Sequence, residues 1–505
     1  MPLINKPATG PFTPTERAII TVPVLAASLL HSINMSSAYV ALPQMQGNLS
    51  ATPDQIGWVI TAFVVATAIG TILTGWFSQR FGRKLVFLGS IAGFTITSLM
   101  CAFATGLGDL VAYRALQGFI SAPLLPLAQS IMLDTYPRER HGFAMSIWSM
   151  GMIVGPVVAP TLGAFLTDEF GWRYLFYMNI PMGLLAFIGI LATLPAAKSE
   201  SQPMDWLGVI SLIISVSCLQ LVLDRGERLG WFSSTEIVIE AVLAVICLYV
   251  FVVHCLTAKQ PYLNLAMFRD RNYVIGLLLI FVFGIAVFAS LFILPVFMQN
   301  VQGYPVMTAG WIVSARGVGT MIAMLSGGFL ADRISGKYLI LTGLVAVGIS
   351  NAWMTTWTAD VPMQDVVYVT LVNGFGMGIM WVSLATVTFS TLASNLRVEA
   401  ASLFALVRSI GASMGTSAVV ITLTRSAQTN YVELRDHINP FSEAFRAMGG
   451  AVPWNMETAG GLAALHSLVV GEAQMIAFLN DFILLVVVVV IPMPLVFLLR
   501  KPAGR

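Results

Sequence analysis

GFAMSIWSMGMIVGPVVAPTLGAFLT, residues 142–167, is long and apolar enough to cross a bilayer, yet it uses residues that a soluble helix avoids. Gly151, Gly155 and Gly163 stand at four- and eight-residue spacings and so share roughly one face, while Pro156 and Pro160 interrupt the hydrogen-bond ladder. Small residues four apart let two membrane helices touch backbone to backbone. Proline is tolerated there because neighbouring helices re-satisfy the carbonyls it frees. Two readings follow: one kinked span in a bundle, or a tight hinge-like contact that closes one side of a transport pathway.

Working outward, only 10% of the 505 residues are charged and 57% are apolar, against about 25% charged in ordinary globular proteins. That excludes a soluble domain. A spanning helix needs about 20 apolar residues. The chain offers such runs at 19–43, 55–77, 85–105, 109–133, 142–167, 174–195, 206–223, 235–256, 273–298, 307–331, 338–357, 366–391, 398–424 and 473–498. With the N-terminus in the cytoplasm, 17 of the 26 Lys and Arg fall in cytoplasmic segments, 6 in outer segments and 3 inside spans, the positive-inside pattern. The expected organisation is a cytoplasmic N-terminus (1–18), a six-helix bundle (19–195), two inserted helices (206–256), and a second six-helix bundle (273–498) with a long periplasmic loop (425–472). A cytoplasmic tail (499–505) closes the chain. The N-terminus lacks the basic-then-apolar layout of a cleaved leader. The four cysteines, Cys101, Cys218, Cys247 and Cys255, all lie in apolar runs without CxxC spacing, which suits buried thiols rather than a metal site or disulfides.

A short repeat links the two halves. Gly75-Trp-Phe-Ser-Gln79-Arg80-Phe-Gly82-Arg83-Lys84 follows span two, and Gly328-Phe-Leu-Ala-Asp332-Arg333-Ile-Ser-Gly336-Lys337 follows span ten. Parallel repeats of this kind build the two pseudo-symmetric halves of many secondary transporters. No GxxxxGK[ST] loop is present, which disfavours a nucleotide-driven pump.

These residues resemble the major facilitator superfamily, and in particular its fourteen-helix drug:proton antiporters of the EmrB/QacA type. Both decapeptides are similar to the superfamily's loop motif. Arg114-Ala-Leu-Gln117-Gly118 is similar to its RxxQG motif, and the opening stretch resembles its antiporter motif, with Ala159-Pro160 replacing the usual glycines. Ala41-Leu42-Pro43 matches the fourteen-helix branch. LQLVLDRGERLGWFS (219–233), LAMFRDRN (265–272), Arg408 with Gly411 and Gly415, and Ile438-Asn439-Pro440-Phe441 look like the EmrB branch. The resemblance implies an all-α integral membrane protein of the major facilitator fold that exports hydrophobic or amphipathic compounds from the bacterial inner membrane. It also implies a proton gradient in place of any cofactor, and delivery to a periplasmic adaptor of EmrA type and an outer-membrane channel. A dedicated exporter of a fatty acid or siderophore is the alternative. A membrane-embedded enzyme is disfavoured, because no acid-base or metal-ligand cluster occurs in the spans, and a transporter-like receptor, which would be expected to append a sensing domain, is disfavoured as well. Nothing points to nucleic acid.

Ionisable groups at bilayer depth need a partner or a task. The family typically has an aspartate nine residues before the proline of the Ala-Leu-Pro pattern, where this chain has Asn34, which cannot titrate. His31 stands one turn earlier on the same face and titrates near neutral pH. It is therefore the candidate for proton exchange, with Asn34 bonding substrate or a neighbour, unless the histidine is only a satisfied helix-helix contact. Arg114 and Arg408 read either as relay arginines or as structural ones bonded to carbonyls; Arg316 has no match in the resemblance. Asp481 is a candidate for cation or proton entry from outside. Trp58, Thr61, Phe63, Gln129, Phe292, Asn373 and Trp381 are candidates to face substrate. In the turns, Gly75, Gln79, Arg80, Gly82, Arg83, Asp332 and Arg333 are candidates for a cytoplasmic lock, with Gln79 where the family has an acid. Residues 425–472 are expected to carry an amphipathic helix that docks the adaptor or shields the exit.

Overall fold

The computed structural model describes residues 12–195, 204–258, 261–331, 333–393, 396–437 and 458–500, apart from some side chains within helices. Asp332 and the Ile438–Phe441 motif lie outside the described residues, as do the side chains of Pro156 and Pro160.

Among the described residues fourteen long helices follow one another. They are α1 (Pro14–Asn48), α2 (Trp58–Phe81), α3 (Arg83–Ala102), α4 (Leu107–Thr135), α5 (His141–Phe170), α6 (Tyr174–Thr193) and α7 (Trp206–Arg225). The second seven are α8 (Thr235–Thr257), α9 (Arg271–Asn300), α10 (Val306–Ala331), α11 (Gly336–Met354), α12 (Met363–Phe389), α13 (Arg397–His437) and α14 (Ala459–Val490). Thirteen of these stretches are long and apolar enough to cross a membrane; α5, 30 residues long, carries the stretch quoted at the outset. Local chemistry sets the ends. Thr13 and Glu16 form a capping box at α1, and Asp270 caps α9 by accepting from the amides of Asn272 and Tyr273. α2 passes into α3 through Gly82 at φ 83°, a backbone geometry that glycine adopts without steric cost. We call the end of the molecule that holds this turn the turn end.

The helices pair in the same way in both halves. α1 packs closely on α5 and α2 on α4; α9 packs closely on α13 and α10 on α12. Each close approach is made by glycine. A Cβ on Gly155 of α5 would stand 2.4 Å from the Ser32 Cβ, and one on Gly118 of α4 would stand 2.3 Å from the Phe63 carbonyl oxygen. In the second half the same construction sets Gly411 of α13 against the Phe281 carbonyl at 2.3 Å and Gly374 of α12 against that of Arg316 at 2.0 Å. Backbone-to-backbone packing through small residues is what holds helices together where lipid removes the hydrophobic drive. The bundles meet along α5 with α10 and along α2 with α13, and the inserted α7 lies against α2 and α13 while α8 packs on α7.

One expected loop is partly helical. Span thirteen was expected to end near 424 and span fourteen to start near 473, whereas α13 runs to His437 and α14 begins at Ala459. The 41 residues of α13 make about 62 Å of helix, twice the ~30 Å hydrocarbon thickness. Both helices therefore continue beyond the apolar layer as an antiparallel pair. Asn430 bonds the Ala473 carbonyl at 3.5 Å, and Tyr431 stacks edge-on against His466. Hydropathy falls where the helix leaves lipid, so the apolar pattern ends before the helix does.

Candidate functional site

In the first bundle, a network drawn from five helices is centred on one arginine. Arg114, fully buried on α4, donates from Nη1 to the Asn34 Oδ1 of α1 at 2.7 Å and to the Gln117 Oε1 at 2.8 Å. Its Nε donates to the Val59 carbonyl of α2 at 3.2 Å. Gln117 passes the network to Ser98 of α3 at 2.6 Å, and Asn179 of α6 donates to the same hydroxyl at 3.3 Å. The guanidinium lies over the Phe63 ring at 4.2 Å, a cation–π geometry that helps a charge leave water. His31 is buried beside the same ring, with centroids 5.8 Å apart. Its Nδ1 has no hydrogen-bond partner among the described residues. The Gly155 contact falls on Ser32, beside His31, so the glycine face of α5 holds the α1 segment that carries His31 and Asn34.

The second bundle has its own arginine. Arg316 of α10 donates to the Ser290 Oγ of α9 at 2.6 Å and to the Asn373 Oδ1 of α12; Asn373 in turn donates to Ser350 and Asn351 of α11 at 2.7 and 3.0 Å. Each half thus ties its first four helices through one buried guanidinium, supplied by the fourth helix in one half and the second in the other. Arg316 had no reading from sequence; its function as a tie depends on three helices that are distant along the chain.

Side chains close the molecule at the turn end. Asp134, at the end of α4, bonds Arg83 of the first decapeptide and, at 2.7 Å, Arg397 at the start of α13. Ser146 of α5 donates to the Met324 carbonyl of α10. Trp381 of α12 donates to the Ser149 Oγ of α5 at 2.5 Å and stacks on Trp148 with centroids 6.2 Å apart. Gly75 packs on Glu399 of α13, at 3.6 Å for an added Cβ. Gln79 is half-buried and Arg333 exposed at the same end, and Arg80 is also engaged there.

The linker between the inserted pair and the second bundle joins this closure. Tyr262 donates to the Ile72 carbonyl of α2, and the Asn264 amide donates to Glu399 at 2.6 Å. Asp205 anchors the linker by accepting from the Tyr262 amide at 2.9 Å and from His254 at 2.8 Å. Burial opposes the Asp205 charge, but the Gly208 and Tyr262 amides and the His254 ring outweigh it and hold its carboxyl below the usual range.

The other candidates are scattered. Trp58, 36% exposed, and Thr61 line a side cavity of about 210 Å³ with Gln55, Arg225 and Arg228, away from the turn end. Phe292 is 37% exposed, and Gln129 is buried with an unpartnered Nε2 among the described residues. Asp481 is fully buried in α14, and neither carboxylate oxygen has a partner among the described residues. The sequence reading missed Trp148, Ser98 and Ser146. Trp148 lies in the quoted stretch, and a tryptophan between glycines on a membrane helix is the one local signal available.

The chain belongs to the major facilitator superfamily: the family model of that description matches residues 24–416. Within it, the relatives place the chain in the EmrB-type branch. It is 33% identical over 427 residues to the multidrug export protein EmrB of Haemophilus influenzae, covering 84% of each chain. It is 32% identical to the EmrB of Escherichia coli K12 over 88% of this chain and 86% of that one. The fatty acid resistance protein FarB of Neisseria gonorrhoeae is 29% identical over 96% of both. The solved structure of the proton:xylose symporter XylE superposes with a TM-score of 0.60 at 15% identity, covering 93% of this chain and 95% of that one, and so shares the fold.

Proposed function

We propose that the protein is a proton-coupled multidrug efflux transporter of the bacterial inner membrane, exporting hydrophobic and amphipathic compounds by alternating access. The observation that carries this reading is the pairing of two arginine-tied bundles with a closure at the turn end that side chains from both bundles share. Rigid bundles that rock about a midplane site are how this architecture moves solutes. Identity above 30% to two EmrB proteins supports export of drugs. The full-length match to FarB supports a second reading, a dedicated exporter of fatty-acid-like compounds. The turn end is then cytoplasmic, with both termini, and the projecting pair of α13 and α14 reaches toward a periplasmic adaptor of EmrA type and an outer-membrane channel.

Protons need a carrier at depth, and His31 in the first bundle and Asp481 in the second are buried, with the His31 Nδ1 and both Asp481 carboxylate oxygens unpartnered among the described residues. In proteoliposomes with an imposed pH gradient and no nucleotide, His31→Gln or Asp481→Asn should remove gradient-driven export of a dye while leaving downhill exchange. Full gradient-driven export in both variants would rule out both carriers.

A further inference from the structure

At the end away from the turn end, the inserted pair grips one turn of α2. Trp58 opens α2 and Arg225 closes α7, so both stand where spans leave the lipid, the depth at which aromatic rings and long basic side chains collect. The Arg225 guanidinium lies over the Trp58 ring, 4.7 Å from its centroid, and bonds Glu236 of α8. One residue back, the Asp224 carboxylate lies against the Thr61 hydroxyl. Arg225, Trp58 and Thr61 share the lining of the side cavity of about 210 Å³. Both partners are firmly built. Thr52 and Gln55 form a capping box just ahead of Gly57 and α2. Beyond Arg225 the chain turns at Gly230, φ 72°, and Trp231, φ 52°. The Trp231 amide donates to the Gly226 carbonyl at 2.7 Å and its ring nitrogen to Glu227 at 2.6 Å. A residue other than glycine keeps a positive φ only where its surroundings fix it.

What this grip holds is the back of the first bundle's arginine centre. The 3.6-residue repeat puts Trp58 and Thr61 on one face of α2 and Val59 and Phe63 on roughly the opposite one. On that second face the Arg114 Nε donates to the Val59 carbonyl, the guanidinium lies over the Phe63 ring, and His31 packs beside the same ring. The stretch from Trp58 to Phe63 is therefore held between the inserted pair and the arginine centre. Deeper in α7, the buried Gln220 donates to the Ser413 Oγ of α13. The same helix thus carries a contact from the second bundle to α2 of the first.

We propose that Arg225 is a positioning residue for the Arg114 centre: by clamping Trp58 it makes the inserted pair the fixture that sets the α2 turn carrying Phe63, and through that ring the placement of Arg114 and His31. Its effect on export rests on the transport reading above, whereas the clamp itself is a matter of packing. Arg225→Gln removes the charge that the Trp58 ring attracts and that Glu236 pairs with, while Arg225→Lys keeps both interactions.

The test has two arms on the full-length protein. In proteoliposomes exporting rhodamine 6G under an imposed pH gradient, Arg225→Gln should lower the maximal rate about tenfold with KM unchanged, and Arg225→Lys should restore most of it. An unaltered rate in Arg225→Gln, a loss confined to KM, or no rescue by Arg225→Lys overturns the proposal. Melting of the detergent-purified chain tests the clamp without transport. Substitutions at sites that share no partner add in their effect on stability, whereas the clamp and the arginine centre share the α2 turn. The fall in melting temperature caused by Arg225→Gln should therefore shrink by half or more in an Arg114→Lys background. Equal falls in the two backgrounds overturn the proposal. If the unaltered chain exports no dye, the transport reading fails and the melting comparison alone decides this one.

Discussion

Arg114→Met is expected to abolish export, at least a hundredfold below the unaltered protein, and to lower the thermal unfolding temperature of the detergent-purified chain. Methionine matches the length but offers no donors, so Asn34, Gln117 and the Val59 carbonyl lose the N–H groups they accept from. Leaving a buried polar group unsatisfied costs about 1–3 kcal/mol each, and three partners on α1, α2 and α4 are affected together. The loss is functional as well as structural, because the guanidinium holds Asn34, one turn from His31, and packs on the same Phe63 ring as the histidine. Arg114→Lys keeps the charge but not the fork that reaches two side chains and a carbonyl at once, so it should fold better than the methionine variant and still export poorly. Near-normal export by Arg114→Met would remove the network from the account.

The second large effect is at the α1–α5 crossing. Gly155→Leu must place its Cβ where the Ser32 Cβ is 2.4 Å away and the Ser32 carbonyl carbon 2.9 Å away. Both neighbours belong to a helix that cannot yield by rotating a flexible side chain. Overpacking a close-packed interior costs about 1–3 kcal/mol, and here it also drives α1 off α5 at the position that carries His31. Export should be lost even where the protein is inserted and folded, as judged by a monodisperse gel-filtration peak. The matched control is Gly163→Ala, whose added methyl meets Ser37 at 3.4 Å. It should keep most activity. If the two variants export equally, the crossing is not a tight hinge.

How far the sequence disclosed this can be judged from these residues. The number and order of the helices were legible because apolar runs of bilayer length leave few alternatives, and the paired turns around Gly82 and Gly336 showed the two halves. The glycine face of α5 was legible as a contact surface, though not that α1 is its partner. The lengths of α13 and α14 were not legible, since a hydropathy pattern reports lipid and not helix. Least visible were the roles set by distance in space. Asn34 and Arg114 are 80 residues apart in sequence, and nothing local shows that they bond. Trp381 reads from sequence as a substrate-facing aromatic, while the structure joins it to Ser149 and Trp148 of the other bundle, 232 residues away along the chain in the Ser149 bond. Arg316 and Ser290 are equally unremarkable one at a time and become a tie only when α9, α10, α11 and α12 are assembled.

The inserted pair gains a mechanical place from the same geometry. The Asp205–Tyr262–Ile72 chain of contacts and the Asn264–Glu399 bond fasten the linker to α2 of one bundle and α13 of the other. Opening the turn end therefore has to break or carry those contacts along, which couples α7 and α8 to the motion instead of leaving them as lipid-facing passengers.

The most direct test of the account is to hold the turn end shut. Cysteines replacing Ser146 and Met324, which meet across α5 and α10, can be joined in proteoliposomes with a short cleavable bis-thiosulfonate, with the unsubstituted protein and its four native cysteines as control. The account predicts that export stops on cross-linking and returns when the linker is reduced. Export that continues at the same rate with the two bundles covalently joined would contradict it.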